Sequence, residues 1–385
     1  MNFLLPFVKK MNIIVAIHDS LYPIWGGGAL RTIKTAKELV HRGHNVFLIA
    51  PSQKDEIEGI KVHRIPFITK ENGNILNLVK LNLSLLKNIL SLIKLTDIIF
   101  VHNAVCGFVV GILKFFFKFK FILDVTDIHT EYAKYTEHGF IEGILLPFML
   151  SIEYWTMKTA DRVIVVTQEM KKRLIENKVG EGKIEVVYDG VELEKFENFE
   201  KEKGSEKNVL CLGSMEKTDG VNYLVDVLPY VLKKCPDTRF YFVGGGGDFN
   251  ELVQITKDSG VYNSCYFTGW IDYSQVREYM KKAGVGIISR PLNPPNHTVI
   301  TLKLLEYWAG KIAVISSKLR GIEEITSNGK DILFFDIDVK NDLGERIVRV
   351  LENGGQRERL LREGTETVKK FDWKILIPQI VDYIV

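Results

Sequence analysis

The sequence predicts an α/β protein of two doubly wound domains, each a mainly parallel sheet covered by helices on both faces. Three observations carry that expectation. Short apolar runs alternate with helical stretches along the chain. The alternation is broken once, by a Glu/Lys-rich segment. A length of 385 residues also exceeds one ordinary core and suits two.

The first series opens with a buried-strand run at 12–17, and Gly26-Gly27-Gly28 punctuates before a helix over 29–41. Gly43-His44 turns into a strand at 45–50, followed by short apolar strands at 62–65, 97–101, 120–125 and 162–166. These make a first domain over 1–195, and residues 196–207 have the composition of a linker. The second series, 208–370, places strands at 209–212, 239–243, 265–268, 285–288, 312–315 and 332–335. A last helix occupies 371–385, and periodicity alone leaves open which domain it packs against.

Composition excludes several classes. Apolar residues make up 46% and charged residues 26%, which is a folded chain and not a disordered one. A net charge of +3 without a run of like charges gives no footing for nucleic acid. Cys106, Cys211, Cys235 and Cys265 are scattered, with no CxxC and no histidine at zinc spacing, so the chain is expected in a reducing cytoplasm without a metal. No run reaches the roughly 18 apolar residues of a spanning helix. Residues 1–10 are too short for a signal peptide and are assigned no role.

Ligands of open α/β sheets sit beyond the carboxyl ends of the strands. In the first domain that edge presents Gly27, Gly28, His102, Asp127 and His129. The triple glycine at a helix start suits a phosphate, or is a tight turn that binds nothing. In the second, Gly244 follows a strand in a run of four glycines whose spacing fails the dinucleotide fingerprint. Trp270 and Ile271 follow the next strand, where backbone suits a base edge; packing of Trp270 is the alternative. Residues 303–311 read as a helix carrying one carboxylate, Glu306, with a glycine stop; a buried strand and the Gly321-to-Glu324 turn follow. The one DxD, Asp336-Ile337-Asp338, is rejected as a metal site, with Asp338 read as a helix N-cap.

Residues 74–95 carry Lys80, Lys87 and Lys94 at heptad spacing among leucines, and 112–120 adds aromatics between lysines. An ordinary sheet-covering helix with a solvated stripe is the favoured reading, and peripheral contact with an anionic membrane is the other.

In this order and spacing, several segments resemble the family 4 glycosyltransferases, which have the GT-B fold of two Rossmann-like domains facing a cleft. They are 23–28 with 39–46, 160–167, 183–191, Gly269, 303–310 and 321–324. The resemblance implies retaining transfer of a sugar from a nucleotide-sugar donor to a hydroxyl of a glycan or lipid-linked acceptor, with no cofactor and no bound metal. It implies that the last helix returns to the first domain. It places Glu306 on the ribose hydroxyls, Gly27 and Gly28 on the diphosphate, His129 beside the transferred sugar, and Trp270 and Ile271 on the base; Glu324 lies in a matching turn on the nucleotide side. Three positions depart from the family pattern. The first acid of its E-x7-E motif falls on Thr298, its Gly-Arg pair reads Gly213-Ser214, and its Lys-Gly pair reads Asp219-Gly220. Lys217, Arg290 and Lys303 are the candidates to replace the lost charge, Lys303 foremost because it recurs in a Lys-x-x-Glu variant of the family. Two alternatives stand beside transfer: a nucleotide-sugar 2-epimerase on the same fold, and a catalytically silent nucleotide-binding partner that docks on membrane.

Overall fold

The computed structural model describes residues 9–22, 24, 26–66, 75–135 and 140–385. The readings made at 1–8, Pro23 and Asn74 lie outside the described residues. The chain divides into two compact units, Met1–Tyr188 with Lys374–Val385, and Asp189–Trp373.

The first unit runs β1 (Asn12–Ala16), α1 (Gly26–His41), β2 (Asn45–Ala50), β3 (Glu56–Ile57), β4 (Ile60–Arg64), α2 (Ile75–Leu92), β5 (Ile98–His102), α3 (Ala104–Leu113), β6 (Lys120–Val125), α4 (His129–Ala133), α5 (Phe140–Thr159), β7 (Arg162–Val165), α6 (Gln168–Glu176) and β8 (Ile184–Val186). The sheet order is β3-β4-β2-β1-β5-β6-β7-β8, parallel except for the β3–β4 pair. Its central strands are buried on both faces, so they read as unbroken Ile/Val/Phe runs without alternation. Strand order reverses between β1 and β5, and that reversal opens a crevice at their carboxyl ends. The helix expected from Ala29 begins at Gly26, so the glycines form its first turn.

The second unit runs β9 (Val209–Leu212), α7 (Val221–Lys234), β10 (Phe240–Val243), α8 (Phe249–Asp258), β11 (Cys265–Phe267), α9 (Tyr273–Lys281), β12 (Val285–Ile288), α10 (Pro294–His297), α11 (Leu302–Ala309), β13 (Ala313–Ser317), α12 (Arg320–Glu323), β14 (Leu333–Phe335), α13 (Asp342–Glu352) and α14 (Gly354–Thr367). Its sheet is parallel throughout, in the order β11-β10-β9-β12-β13-β14, and reverses between β9 and β12. The last helix, α15 (Trp373–Ile384), counts from Lys374 onward with the first unit. There the Tyr383 hydroxyl donates to the Lys183 carbonyl at 2.7 Å, and Lys120 Nζ donates to the Ile384 carbonyl at 2.8 Å.

Two expectations are corrected. Residues 196–207 are no free linker: Phe199 is buried, and Lys201 Nζ donates to the Met280 carbonyl at 2.6 Å and to that of Ala283, closing the end of α9. Burial lowers the Lys201 pKa to about 7. The Glu/Lys content hid the aromatic anchor, and the boundary falls at Tyr188. Asp338 is not an N-cap, because α13 starts at Asp342; the Asp338 amide instead donates to Asp336 Oδ1 at 3.0 Å.

At the reversal in the second sheet, β9 and β12 pair only at Val209–Val285 and Leu210–Gly286 before they part. Tyr307 of α11 fills the fork. Its hydroxyl accepts from the Leu212 amide at 2.9 Å and donates to the Leu210 carbonyl at 3.3 Å. The ring lies flat on Gly286, where a Cβ would come within 2.6 Å of Tyr307 Cδ2. Tyr307→Phe, which orphans a buried amide, is expected to lower unfolding free energy by about 1–3 kcal/mol. Gly286→Ala overpacks the same contact and should cost about 1–3 kcal/mol. Urea unfolding midpoints of both variants check this; wild-type values would show that the hydroxyl and the flat contact hold nothing.

Candidate functional site

In the first unit, the crevice between β1 and β5 gathers His18 and Asp19 from the end of β1, His102 from β5 and the glycine start of α1. Gly28 is where it is because a Cβ there would stand 2.3 Å from His102 Nε2 and 3.0 Å from Asp19 Oδ2. Beneath it lies a fully buried ion pair. Arg31 Nε and Nη2 donate to the two oxygens of Asp124, each at 2.9 Å, and the guanidinium also reaches the Tyr188 and Val187 carbonyls. His102 Nδ1 joins Asp124 at 3.1 Å. Burial works against an ionised Asp124, but the Arg31 charge and the His102 bond hold its pKa at about 2. Burial likewise opposes an imidazolium at His102, and the hydrogen bond and charge of Asp124 outweigh it, so the pKa is raised. His102, placed at the ligand edge from sequence as a residue for the acceptor or sugar, is buried beneath the glycine turn.

Asn103, next in sequence, sits at φ +62° and is held by its own side chain: Oδ1 accepts the Thr126 amide at 2.9 Å and Nδ2 donates to Thr126 Oγ1 at 3.1 Å. This ties the end of β5 to the turn carrying half-buried Asp127. His129 begins α4, and its amide donates to Glu153 Oε1 at 3.0 Å. The rings of His129 and His18 meet edge to face with centroids 5.0 Å apart. The buried Nδ1 atoms of both have no protein hydrogen-bond partner, which leaves them available to a ligand hydroxyl. Burial, helped by the neighbouring His129 and His102, lowers the His18 pKa to about 3 against the pull of Asp19.

In the second unit, the crevice between β9 and β12 collects Ser214 and Asp219 after β9, Arg290 after β12, and Lys303 and Glu306 on α11. Three residues apart, Lys303 and Glu306 share one helix face. Arg290 Nε and Lys303 Nζ both approach Asp219 Oδ1 at 3.3 Å, and Ser214 Oγ donates to Oδ2. Burial would raise the Asp219 pKa, but Lys303 and then Arg290 hold it at about 2. Gly213 and Gly244, at φ +109° and +130°, leave bare backbone beside Lys303, and a Cβ on Gly244 would stand 2.0 Å from the Gly213 carbonyl oxygen. Glu306 is half-buried and accepts from the Tyr273 hydroxyl; burial raises its pKa against the Tyr273 bond and the Lys303 and Lys195 charges. Trp270 is 70% exposed and lays its edge over Gly245, with half-buried Ile271 beside it.

Lys217 is exposed at the start of the single turn that ends in Asp219, and Glu324 is half-buried at the end of α12. Thr298 is buried, and its hydroxyl donates to the Pro295 carbonyl at 2.9 Å. Gly27, in the first turn of α1, lies next to Gly28. Sequence reasoning missed His18, Asp19, Arg31, Asp124, Glu153 and Tyr273. Asp124 alone carried a legible signal, a carboxylate inside the apolar run of β6 that demands a buried partner.

Residues 25–195 match the family Glycosyltransferase Family 4, and residues 206–353 match Glycosyl transferases group 1. An uncharacterized glycosyltransferase of Methanocaldococcus jannaschii is 23% identical over 358 residues, covering 92% of each chain. A phosphatidyl-myo-inositol mannosyltransferase of Mycobacterium tuberculosis is 25% identical over 67% of this chain and 66% of its own. Among solved structures, sucrose-phosphate synthase from Thermosynechococcus elongatus superposes with a TM-score of 0.79 at 18% identity, covering 97% of this chain and 98% of that one. HepE of Anabaena, in complex with UDP and glucose, gives 0.74 at 15% identity, with 97% and 98% covered. These likenesses show the fold.

His102 and His18 should titrate in opposite directions from 6.5, the ordinary histidine value. Imidazole ¹⁵N NMR is expected to find His102 still protonated above that value and His18 neutral well below it. Because the His18 pKa is depressed on folding, its contribution to stability is complete above 6.5 and declines as pH falls from there towards about 3. His18→Gln should flatten that acid limb, and two histidines titrating together near 6.5 would contradict the burial and pairing described.

Proposed function

The chain belongs to the family 4 glycosyltransferases, and on that footing we propose a retaining, metal-independent transfer of a sugar from a nucleotide-sugar donor to a hydroxyl of a glycan or lipid-linked acceptor. The second unit takes the nucleotide. Glu306 accepts from the ribose hydroxyls, Lys303 and Arg290 draw the diphosphate, and the backbone around Trp270 and Ile271 meets the base. The first unit takes the acceptor, with His129 at the transferred sugar. The sugar C1–phosphate oxygen bond breaks and a C1–oxygen bond to the acceptor forms on the same face; the acceptor's proton passes to the departing phosphate oxygen. No side chain is needed as nucleophile. Cations already in place stabilise the charge that develops on the leaving group.

One observation carries this reading. Lys303 and Glu306 stand on one helix face at the carboxyl edge of the second sheet, where its strand order reverses. An acid for a diol and a cation for a phosphate at that spacing fit the two ends of a ribose diphosphate. HepE, bound to UDP and glucose, supports a nucleotide ligand for this fold.

A lipid-linked acceptor, approached from an anionic membrane, is supported by the outer helices of the first unit. α2 packs inward through Leu81, Leu85 and Ile89, and its outward face exposes Val79, Leu83 and Leu90 beside Lys80 and Lys87. Phe115 and Phe116 after α3, and Ile144 and Phe148 on α5, are exposed as well. The outward face is thus more apolar than the solvated stripe favoured from sequence. No helix among the described residues is long and apolar enough to cross a membrane, so the contact proposed is peripheral.

Glu306→Ala is expected to weaken nucleoside diphosphate binding by about 1–3 kcal/mol, the loss of a charge-assisted hydrogen bond. Titration calorimetry measures it, and unchanged affinity would remove the ribose assignment. Co-sedimentation with phosphatidylglycerol vesicles should decline with added salt and on replacing Lys80, Lys87 and Lys94 together by Gln. Insensitivity to both would end the membrane reading.

A further inference from the structure

Around Asp219 the second unit carries an arrangement that donor binding alone does not call for. A carboxylate sits, almost wholly buried, between the two cations best placed to receive a phosphate, and Ser214 Oγ donates to its other oxygen. Arg290 comes from the end of β12, Lys303 from α11, and Asp219 from the turn after β9, so three elements converge on one carboxylate at the strand reversal. Lys303 and Arg290 outweigh burial, so the group is ionised at neutral pH. Two cations against one anion leave one net positive charge. On the open side, Gly213 leaves Lys303 Nζ only 3.2 Å from where a Cβ would be, so Lys303 borders bare backbone.

We propose that Asp219 is a resident anion that holds Lys303 and Arg290 in place and competes with the incoming diphosphate for them, so that it limits donor affinity and sets how many phosphate charges the site favours. The inference rests on the donor assignment above. The carboxylate accepts the same hydrogen bonds that a phosphate oxygen would accept, from the same donors. A diphosphate arriving there must displace those contacts or tolerate a like charge beside it. Displacement leaves the cations aligned, because Asp219 had already fixed their side chains, and the entropy of ordering two long chains is met before the ligand arrives. A nucleoside monophosphate with less charge suffers less from Asp219, so the residue narrows the gap between mono- and diphosphates.

Calorimetry with UDP, GDP and ADP, and with the corresponding monophosphates, tests this on the full chain. Asp219→Asn keeps the shape and removes the charge. It is expected to tighten diphosphate binding about tenfold and monophosphate binding by much less. Asp219→Ser, which is smaller and also neutral, should shift both in the same sense and serves if the Asn variant does not fold. A merely structural Asp219 would give weaker or unchanged diphosphate binding in both variants, and that result overturns the proposal. Glu306→Ala is run in parallel. Weakening there, with no gain at Asp219, sinks this inference and leaves the donor assignment standing. No nucleotide binding by the wild type or by either Asp219 variant would sink both.

Discussion

Each sheet reverses its strand order once, and at that place two parallel neighbours must part. In the second unit, β9 and β12 share only two paired positions. The parting leaves the amide of Leu212, one position beyond the last paired pair, inside the protein without a β12 partner, a cost that folding has to meet. Tyr307 meets it with one hydroxyl, and Gly286 makes room for its ring. Because Tyr307 is locked, so is the face of α11 one residue earlier, where Glu306 and, a turn back, Lys303 project at the crevice. The polar site is therefore registered to the sheet by a buried aromatic residue, and not by the loops that surround it.

In the first unit the equivalent crevice is braced by charge. Arg31 and Asp124 are both fully buried, and a pair of that kind contributes little net stability compared with apolar residues of similar size. Its effect is geometric. The guanidinium reaches Asp124 on β6 and two carbonyls after β8, while His102 on β5 shares the same carboxylate. Three strands and the first helix are fixed to one another within a single hydrogen-bonded group. The glycine start of α1 rests on it, with contact too close for any side chain at Gly28.

Much of this was legible in the sequence, for a physical reason. Strands buried on both faces have no alternation to blur them, so the apolar runs at 12–17 or 285–288 stand out, and parallel sheets place their ends together at the ligand edge. Glu306 was legible because it is the one acid in a short helix that is otherwise apolar apart from Lys303. What stayed hidden were interactions between distant segments. Arg31 falls within an ordinary amphipathic helix, and only the fold brings Asp124 to it from 93 residues away. The segment 196–207 hid for the opposite reason: its charge masked Phe199, whose burial assigns it to the second unit. Tyr273 carried no signal of its own, because its hydroxyl meets Glu306 only when α9 and α11 are brought together.

Where the family pattern has cations after β9, this chain has Ser214 and Asp219, a change that would look disabling if charges were counted position by position. The structure shows the positive groups standing on other elements, Arg290 at the end of β12 and Lys303 on α11, with their charged ends brought to the same point. A field at a crevice depends on where charged atoms end up, and three strand ends and a helix offer several routes to one place. Relocation also changes how the charges are held. A lysine and an arginine on separate elements repel, and a short acid from the β9 turn is the cheapest group that can keep both in position. Asp219 is thus tied to this placement of charge: it accepts from the cations of both elements at one oxygen, and so offsets their mutual repulsion while it holds them at a single point.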